Sequence, residues 1–205
     1  HIGTATNWQQ IATGVYHSVG IRTDGTLWSW GDNSFGQLGD GTFIGKNVPI
    51  QIGTSTDWQS VSVSANHTTA IKTNGTLWTW GGNSEGQLGD GTTIIKNSPI
   101  QVGASSNWKV VDAGNNYAVA IKTDGTLWVW GYNSYGQLGN GATTNQTTPI
   151  QIGTAGNWQS ISAGAWHTAA IKNDGTLWVW GDNDFGQLGD GTNADKTVPK
   201  QIGTD

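Results

Sequence analysis

One fifty-residue unit occurs four times in this 205-residue chain, with no insertion or deletion to break its register. Trp8, Trp58, Trp108 and Trp158 mark the start of each copy, and Pro49, Pro99, Pro149 and Pro199 mark its end. A strict repeat of this length means one supersecondary unit per copy, each burying its apolar faces against its neighbours. Within the first copy, Trp8, Gly25, Leu27, Trp28, Trp30, Gly31, Asn33, Gly36, Gln37, Leu38 and Gly39 are among the positions identical in all four.

Each copy reads as short strands with no helical period. In the fourth, strands are predicted over Trp158–Ala163, His167–Lys172 and Thr176–Trp180, with a fourth piece around Lys200–Ile202 after the proline. Asp24-Gly25, Asn74-Gly75, Asp124-Gly125 and Asp174-Gly175 separate the second strand from the third, which predicts hairpins with type I′ turns. Along the third strand Leu127 and Val129 point one way and Trp128 and Trp130 the other, so both faces are apolar and both must be covered. Small two-faced sheets repeated at this period stack face to face around an axis. The fold class is therefore all-β, a β-propeller with four blades of four antiparallel strands. The whole chain is read as a single repeat domain, with blades at about 4–53, 54–103, 104–153 and 154–205.

Composition removes several functions. Net charge is −5, with nine basic residues scattered singly, so a nucleic-acid footprint is absent. No stretch approaches eighteen apolar residues, which argues against a membrane-spanning helix. There is no cysteine, hence no disulfide and no thiolate chemistry. Glu85 is the only glutamate, most aspartates sit in glycine turns, and no phosphate-binding loop is present. The expectation is a non-enzyme without cofactor or metal, in a compartment the sequence leaves open.

After the third strand come GDNSFGQLGDGT at 31–42, GGNSEGQLGDGT at 81–92, GYNSYGQLGNGA at 131–142 and GDNDFGQLGDGT at 181–192. With the preceding strand pair, this segment resembles the repeat of the regulator of chromosome condensation family, over essentially the whole chain. The resemblance implies propeller blades of four strands, in proteins that usually carry seven repeats. It also implies varied functions, among them guanine-nucleotide exchange on a small GTPase and inhibition of β-lactamases through aromatic loop residues. The basic tail that chromatin attachment would need is missing, and the near-identical blades show no inserted wedge loop for exchange, so exchange is the lesser expectation.

Positions that differ between copies are the candidates for recognition. One group precedes the second strand: Tyr16 and His17, Asn66 and His67, Asn116 and Tyr117, Trp166 and His167. Another comprises Tyr132 with Phe35, Glu85, Tyr135 and Phe185 in the loop after the third strand. Tyr16 and Trp166 occupy the column that resembles the aromatic contact positions of the inhibitor branch. Tyrosine and tryptophan anchor interfaces because they bury much area at little entropic cost. The predicted role is binding of a protein partner or scaffolding; the alternative is a glycan site with aromatic stacking. Three histidines in one column could suggest a metal ring, but Tyr117 interrupts it. Asp182-Asn183-Asp184 opens like a calcium loop without its closing glutamate.

Four blades would have to meet at about 90° to close alone, whereas eight meet at about 45°. A half-ring that pairs with a second copy into an eight-bladed homodimer is expected, the alternatives being a four-bladed ring of one chain or a piece of a longer propeller.

Overall fold

The structure is a computed structural model describing residues 6–203. Its first blade holds β1 (Trp8–Thr13), β2 (His17–Arg22), β3 (Leu27–Gly31) and β4 (Lys46–Gln51). The second holds β5 (Trp58–Val63), β6 (His67–Lys72), β7 (Leu77–Gly81) and β8 (Lys96–Gln101). The third holds β9 (Trp108–Gly114), β10 (Tyr117–Lys122), β11 (Leu127–Gly131) and β12 (Gln146–Ile152). The fourth holds β13 (Trp158–Ala163), β14 (His167–Lys172), β15 (Leu177–Gly181) and β16 (Lys196–Ile202). Each blade is an antiparallel meander in sequence order. β1, β5, β9 and β13 pack against one another in succession and so line the axis, leaving β4, β8, β12 and β16 at the rim. The expected outer limits at residues 4 and 205 lie outside the described residues. Among the described residues no helix is long and apolar enough to cross a membrane.

Two local expectations are corrected. The Asp-Gly hairpins are not type I′, because only the glycine has positive φ, +76° at Gly25. Gly25 N–H bonds to Arg22 O at 2.9 Å and Arg22 N–H to Thr26 O at 3.0 Å. That is a type I turn followed by a left-handed glycine, the three-residue hairpin with a bulge. The Asp24 carboxylate favours it by accepting Thr26 N–H at 3.0 Å and Thr26 Oγ1–H at 2.6 Å. The rim strand also starts earlier than expected, at Lys196, and contains Pro199. An edge strand tolerates proline because one side of its backbone has no partner.

The core consists of joints between blades. The forward face of blade 1 (Val19, Ile21, Leu27) packs on the rear face of blade 2 (Trp58, Ala70, Trp80). Blades 2 and 3 repeat this with Ile71 and Leu77 against Trp108, Ala120 and Trp130. Blades 3 and 4 do so with Val119, Ile121 and Leu127 against Trp158, Ala170 and Trp180. Each joint is fastened by an indole: Trp80 Nε1–H donates to Gln37 O, Trp130 to Gln87 O and Trp180 to Gln137 O, at 2.8–2.9 Å. The loop supplying that carbonyl is clamped by a buried asparagine. Asn33 Nδ2 donates to Asp40 Oδ1 and Thr42 O, while its Oδ1 accepts Leu38 N–H. At the opposite end of the third blade, Lys122 lies between indoles, its Nζ 4.6 Å from the Trp108 centroid and 4.0 Å from that of Trp128.

Among the described residues blade 1 and blade 4 form no joint with each other, so the four blades make an open arc.

Candidate binding face

The turns between first and second strands and the long loops after the third strand emerge at the same end of every blade. Backbone bonds tie them together, as in Tyr132 N–H to Asn116 O and Asp182 N–H to Trp166 O. Around the axis at this end lies an open concavity of about 550 Å³, edged by Gly14, Tyr16, Ser64, Asn115, Gly164 and Ala165.

The sequence candidates divide by depth. His17, His67 and Tyr117 are buried inside the arc and are not on its surface. Their strand is second from the axis, and each of the three points from its forward face into the joint with the next blade. His17 Nε2 meets Thr68 Oγ1 at 2.9 Å, and Thr68 Oγ1 donates to Gln37 O, so the imidazole is the donor of that first bond. His67 Nδ1 lies 2.6 Å from Ser64 Oγ, and the Tyr117 hydroxyl donates to His167 O. Asn66, Asn116, His167, Glu85, Tyr132 and Tyr135 are half-buried, whereas Tyr16, Phe35, Trp166 and Phe185 are exposed.

Three of the candidates meet. Tyr135 of blade 3 stacks on Trp166 of blade 4, with centroids 5.5 Å apart and planes at 29°. Tyr132 abuts Tyr135 edge-on at 6.3 Å. Three invariant columns account for twelve of the thirteen tryptophans, and Trp166 is the one outside them. The equivalent joint between blades 2 and 3 is polar: Gln87 Nε2 donates to Asn116 Oδ1 and Asn145 Nδ2 to Glu85 Oε2. Asn145 was not among the sequence candidates, and its partner sixty residues away gives no local signal.

Burial pushes the His67 imidazole down to about 3, with His17 beside it adding to the effect. Burial likewise pushes His17 down to about 4, against the opposing pull of Asp32. Both are neutral at pH 7, when the unfolded chain, titrating near 6.5, is only beginning to take up protons. The unfolded state therefore gains protons first as pH falls, and the fold loses stability on the acid side of about 6.5. Each histidine contributes a slope of up to about 1.4 kcal/mol per pH unit. Urea midpoints at pH 7, 6 and 5 are expected to fall progressively, and His67→Gln to remove about half of that fall. Equal slopes for both proteins would contradict the burial of His67.

Asp182, Asp184 and Asp195 bring carboxylate oxygens within 4.8 Å of one another. Asp195 Oδ1 already accepts Asn183 N–H, the bond that Asn145 makes to Asn133 in blade 3.

The sequence matches the RCC1-like domain over residues 9–205. The chain belongs to the RCC1-like domain family. Its arc superposes on human WBSCR16 with a TM-score of 0.86 at 27% identity, covering 96% of this chain and 53% of that one. It superposes on Prp20p from Saccharomyces cerevisiae with a TM-score of 0.87 at 21% identity, covering 98% and 52%. Yeast RCC1 (Prp20) in complex with a partner gives a TM-score of 0.86 at 22% identity, covering 99% and 50%. The chain thus spans about half the length of these RCC1-like structures. The likeness carries the blade architecture and the direction of the arc; the aromatic face is a matter of this chain's own residues.

Proposed function

We propose that this chain is a non-catalytic protein-interaction module that binds a protein partner through its loop face. The observation that carries the reading is the Tyr132–Tyr135–Trp166 cluster, aromatic side chains in variable columns on a scaffold whose invariant residues are spent on blade joints. Stacked aromatic rings on a rigid support suit protein recognition, since little entropy remains to be lost on binding. The solved structure of Prp20p was described together with its binding to Gsp1p and histones, so a related propeller serves to dock proteins. The imidazoles of His17 and His67 are buried and held neutral, which removes them as surface acid–base groups.

The test compares proteins captured by the wild type and by Tyr135→Ser/Trp166→Ser, with circular dichroism and melting to establish that both fold. The expected result is a specific partner lost by the variant, with affinity reduced at least 30-fold, a change of about 2 kcal/mol. Identical capture by both proteins would overturn the reading. Glycan-array binding that depends on Trp166, with no protein captured, would move the assignment to a lectin-like site.

A further inference from the structure

We propose that Gln137, beneath the Tyr132–Tyr135–Trp166 cluster, is a specificity-determining residue of this face. Its side-chain N–H takes an uncharged carbonyl oxygen of the bound protein, from the main chain or from an Asn or Gln side chain. The inference rests on the protein-interaction reading above for the nature of the partner, and on the geometry of one joint for the donor.

The glutamine that recurs in every loop is held alike in the first three blades. Gln37 Oε1 accepts Phe35 N–H, Gln87 Oε1 accepts Glu85 N–H and Gln137 Oε1 accepts Tyr135 N–H, at 2.9–3.0 Å. All three side chains are buried. With the oxygen fixed in this way, the amide nitrogen needs an acceptor from one of two neighbouring columns. Blade 1 supplies it from its own loop, where Gln37 Nε2 donates to Asp32 Oδ2 at 2.7 Å. Blade 2 has Gly82 in that column and borrows from the next blade, so Gln87 Nε2 donates to Asn116 Oδ1 at 3.1 Å. In blade 3 both columns are aromatic: Tyr132 stands where Asp32 stands, and Trp166 of blade 4 where Asn116 stands. Gln137 Nε2 is accordingly buried with no acceptor among the described residues.

A buried amide N–H in this state costs stability, and native proteins keep few such groups. A ring face is a much weaker acceptor than a carbonyl oxygen. The two replacements that take away the acceptor, Tyr132 and Trp166, are the same two that help to build the aromatic cluster. Cluster and donor therefore make one site, rings for the body of a bound residue and an N–H beneath them for its oxygen. The groups in the two columns that reach this nitrogen are side chains, and Trp166 is 37% exposed, so rotation of a ring uncovers the donor. All of these residues belong to the joint between blades 3 and 4.

Charge selects the kind of acceptor. A Cβ at Gly181 would lie 3.2 Å from Gln137 Cα, which places the next residue, Asp182, beside the glutamine. Asp182 does not serve as its partner: the Asp182 Oδ1 accepts Asp184 N–H at 3.1 Å instead. Asp182, Asp184 and Asp195 stand close together, and none of them has an ion pair among the described residues. A carboxylate brought to Gln137 meets this negative charge, whereas an amide or main-chain carbonyl offers the same oxygen without the repulsion.

Proton–nitrogen NMR reads the side-chain amides of Gln37, Gln87 and Gln137 separately, and benzamide and benzoate present one ring with two head groups. Benzamide is expected to shift the Gln137 Nε2 protons saturably and to leave those of Gln37 and Gln87, whose acceptors are internal, in place. Benzoate is expected to bind at least about 10-fold more weakly. Trp166→Asn carries the internal acceptor of blade 2 into this joint. Its Gln137 protons should move downfield toward the position of the Gln87 protons, and benzamide should lose at least about 10-fold in affinity. Trp166→Leu removes the same ring without adding an acceptor, so the difference between the two variants isolates the hydrogen bond. The wild-type titration decides by itself should either variant fail to fold. Saturating benzamide that leaves Gln137 unmoved, benzoate bound as tightly as benzamide, or the same Gln137 positions in both variants would overturn the proposal. Selection of benzamide at Gln137 with no protein captured supports the donor while the protein-interaction reading falls. Capture that depends on Trp166 but is undiminished by saturating benzamide keeps that reading and overturns this inference.

Discussion

Trp130→Ala is expected to cost about 4–8 kcal/mol of folding stability, a large share of what a domain of this kind possesses. Removing a fully buried tryptophan costs about 3–5 kcal/mol through lost transfer energy and the cavity left behind. The indole also fills the space above Gly89 and packs edge-on against Trp108, with centroids 6.1 Å apart. Its Nε1–H is the donor to Gln87 O, and an unpartnered buried carbonyl adds about 1–3 kcal/mol. Trp130→Phe separates the two contributions, because it keeps most of the ring and loses the N–H; its cost should be about 1–3 kcal/mol. Urea unfolding of both variants measures this directly. A loss below 1 kcal/mol for Trp130→Ala would mean that the blades are not held together at this joint.

Much of this arrangement is legible in the sequence because the repeat itself is. Fifty-residue spacing, strand-length apolar runs and Asp-Gly pairs give the number of blades and the order of strands. What the sequence hid has specific causes. The Asp-Gly pair signals a hairpin, but the loop length and the Asp24 carboxylate bonds to Thr26 select the bulged three-residue form. His17, His67 and Tyr117 stood among the candidates for partner contact because they lie in a group of columns that differs between copies. They are buried because each points into the joint with the next blade, and the signal was the hydroxyls set in register with them at Ser64 and Thr68. The aromatic cluster needed geometry: Tyr135 and Trp166 lie in different copies and columns, and only the stacking of blades brings them together.

Asn133→Leu is expected to release the loop that carries this cluster, at a cost of about 3–5 kcal/mol. The side chain is fully buried and works as a four-way clamp. Its Nδ2 donates to Asn140 Oδ1 at 3.1 Å, Ala142 O at 3.0 Å and Thr144 O at 3.1 Å, and its Oδ1 accepts Leu138 N–H at 3.0 Å. Leucine has a similar volume, so little is lost in packing, but it leaves the Leu138 amide and three acceptor oxygens without that partner; Asn140 Oδ1 keeps Ala142 N–H, and each of the others is worth about 1–3 kcal/mol where it stays buried. Gln137 and Leu138 lie in this loop, and Trp180 is anchored to Gln137 O, so the damage extends to the joint between blades 3 and 4. Tyr132 and Tyr135 lie on either side of the clamp and lose their fixed positions with it. Hydrogen exchange at the Leu138 amide is expected to quicken at least 100-fold, equivalent to about 2.7 kcal/mol. Protection in blade 1, which is separated from blade 3 by blade 2, should fall far less. Unchanged protection at Leu138 would show that glycine geometry alone orders the loop and that the asparagine is dispensable to it.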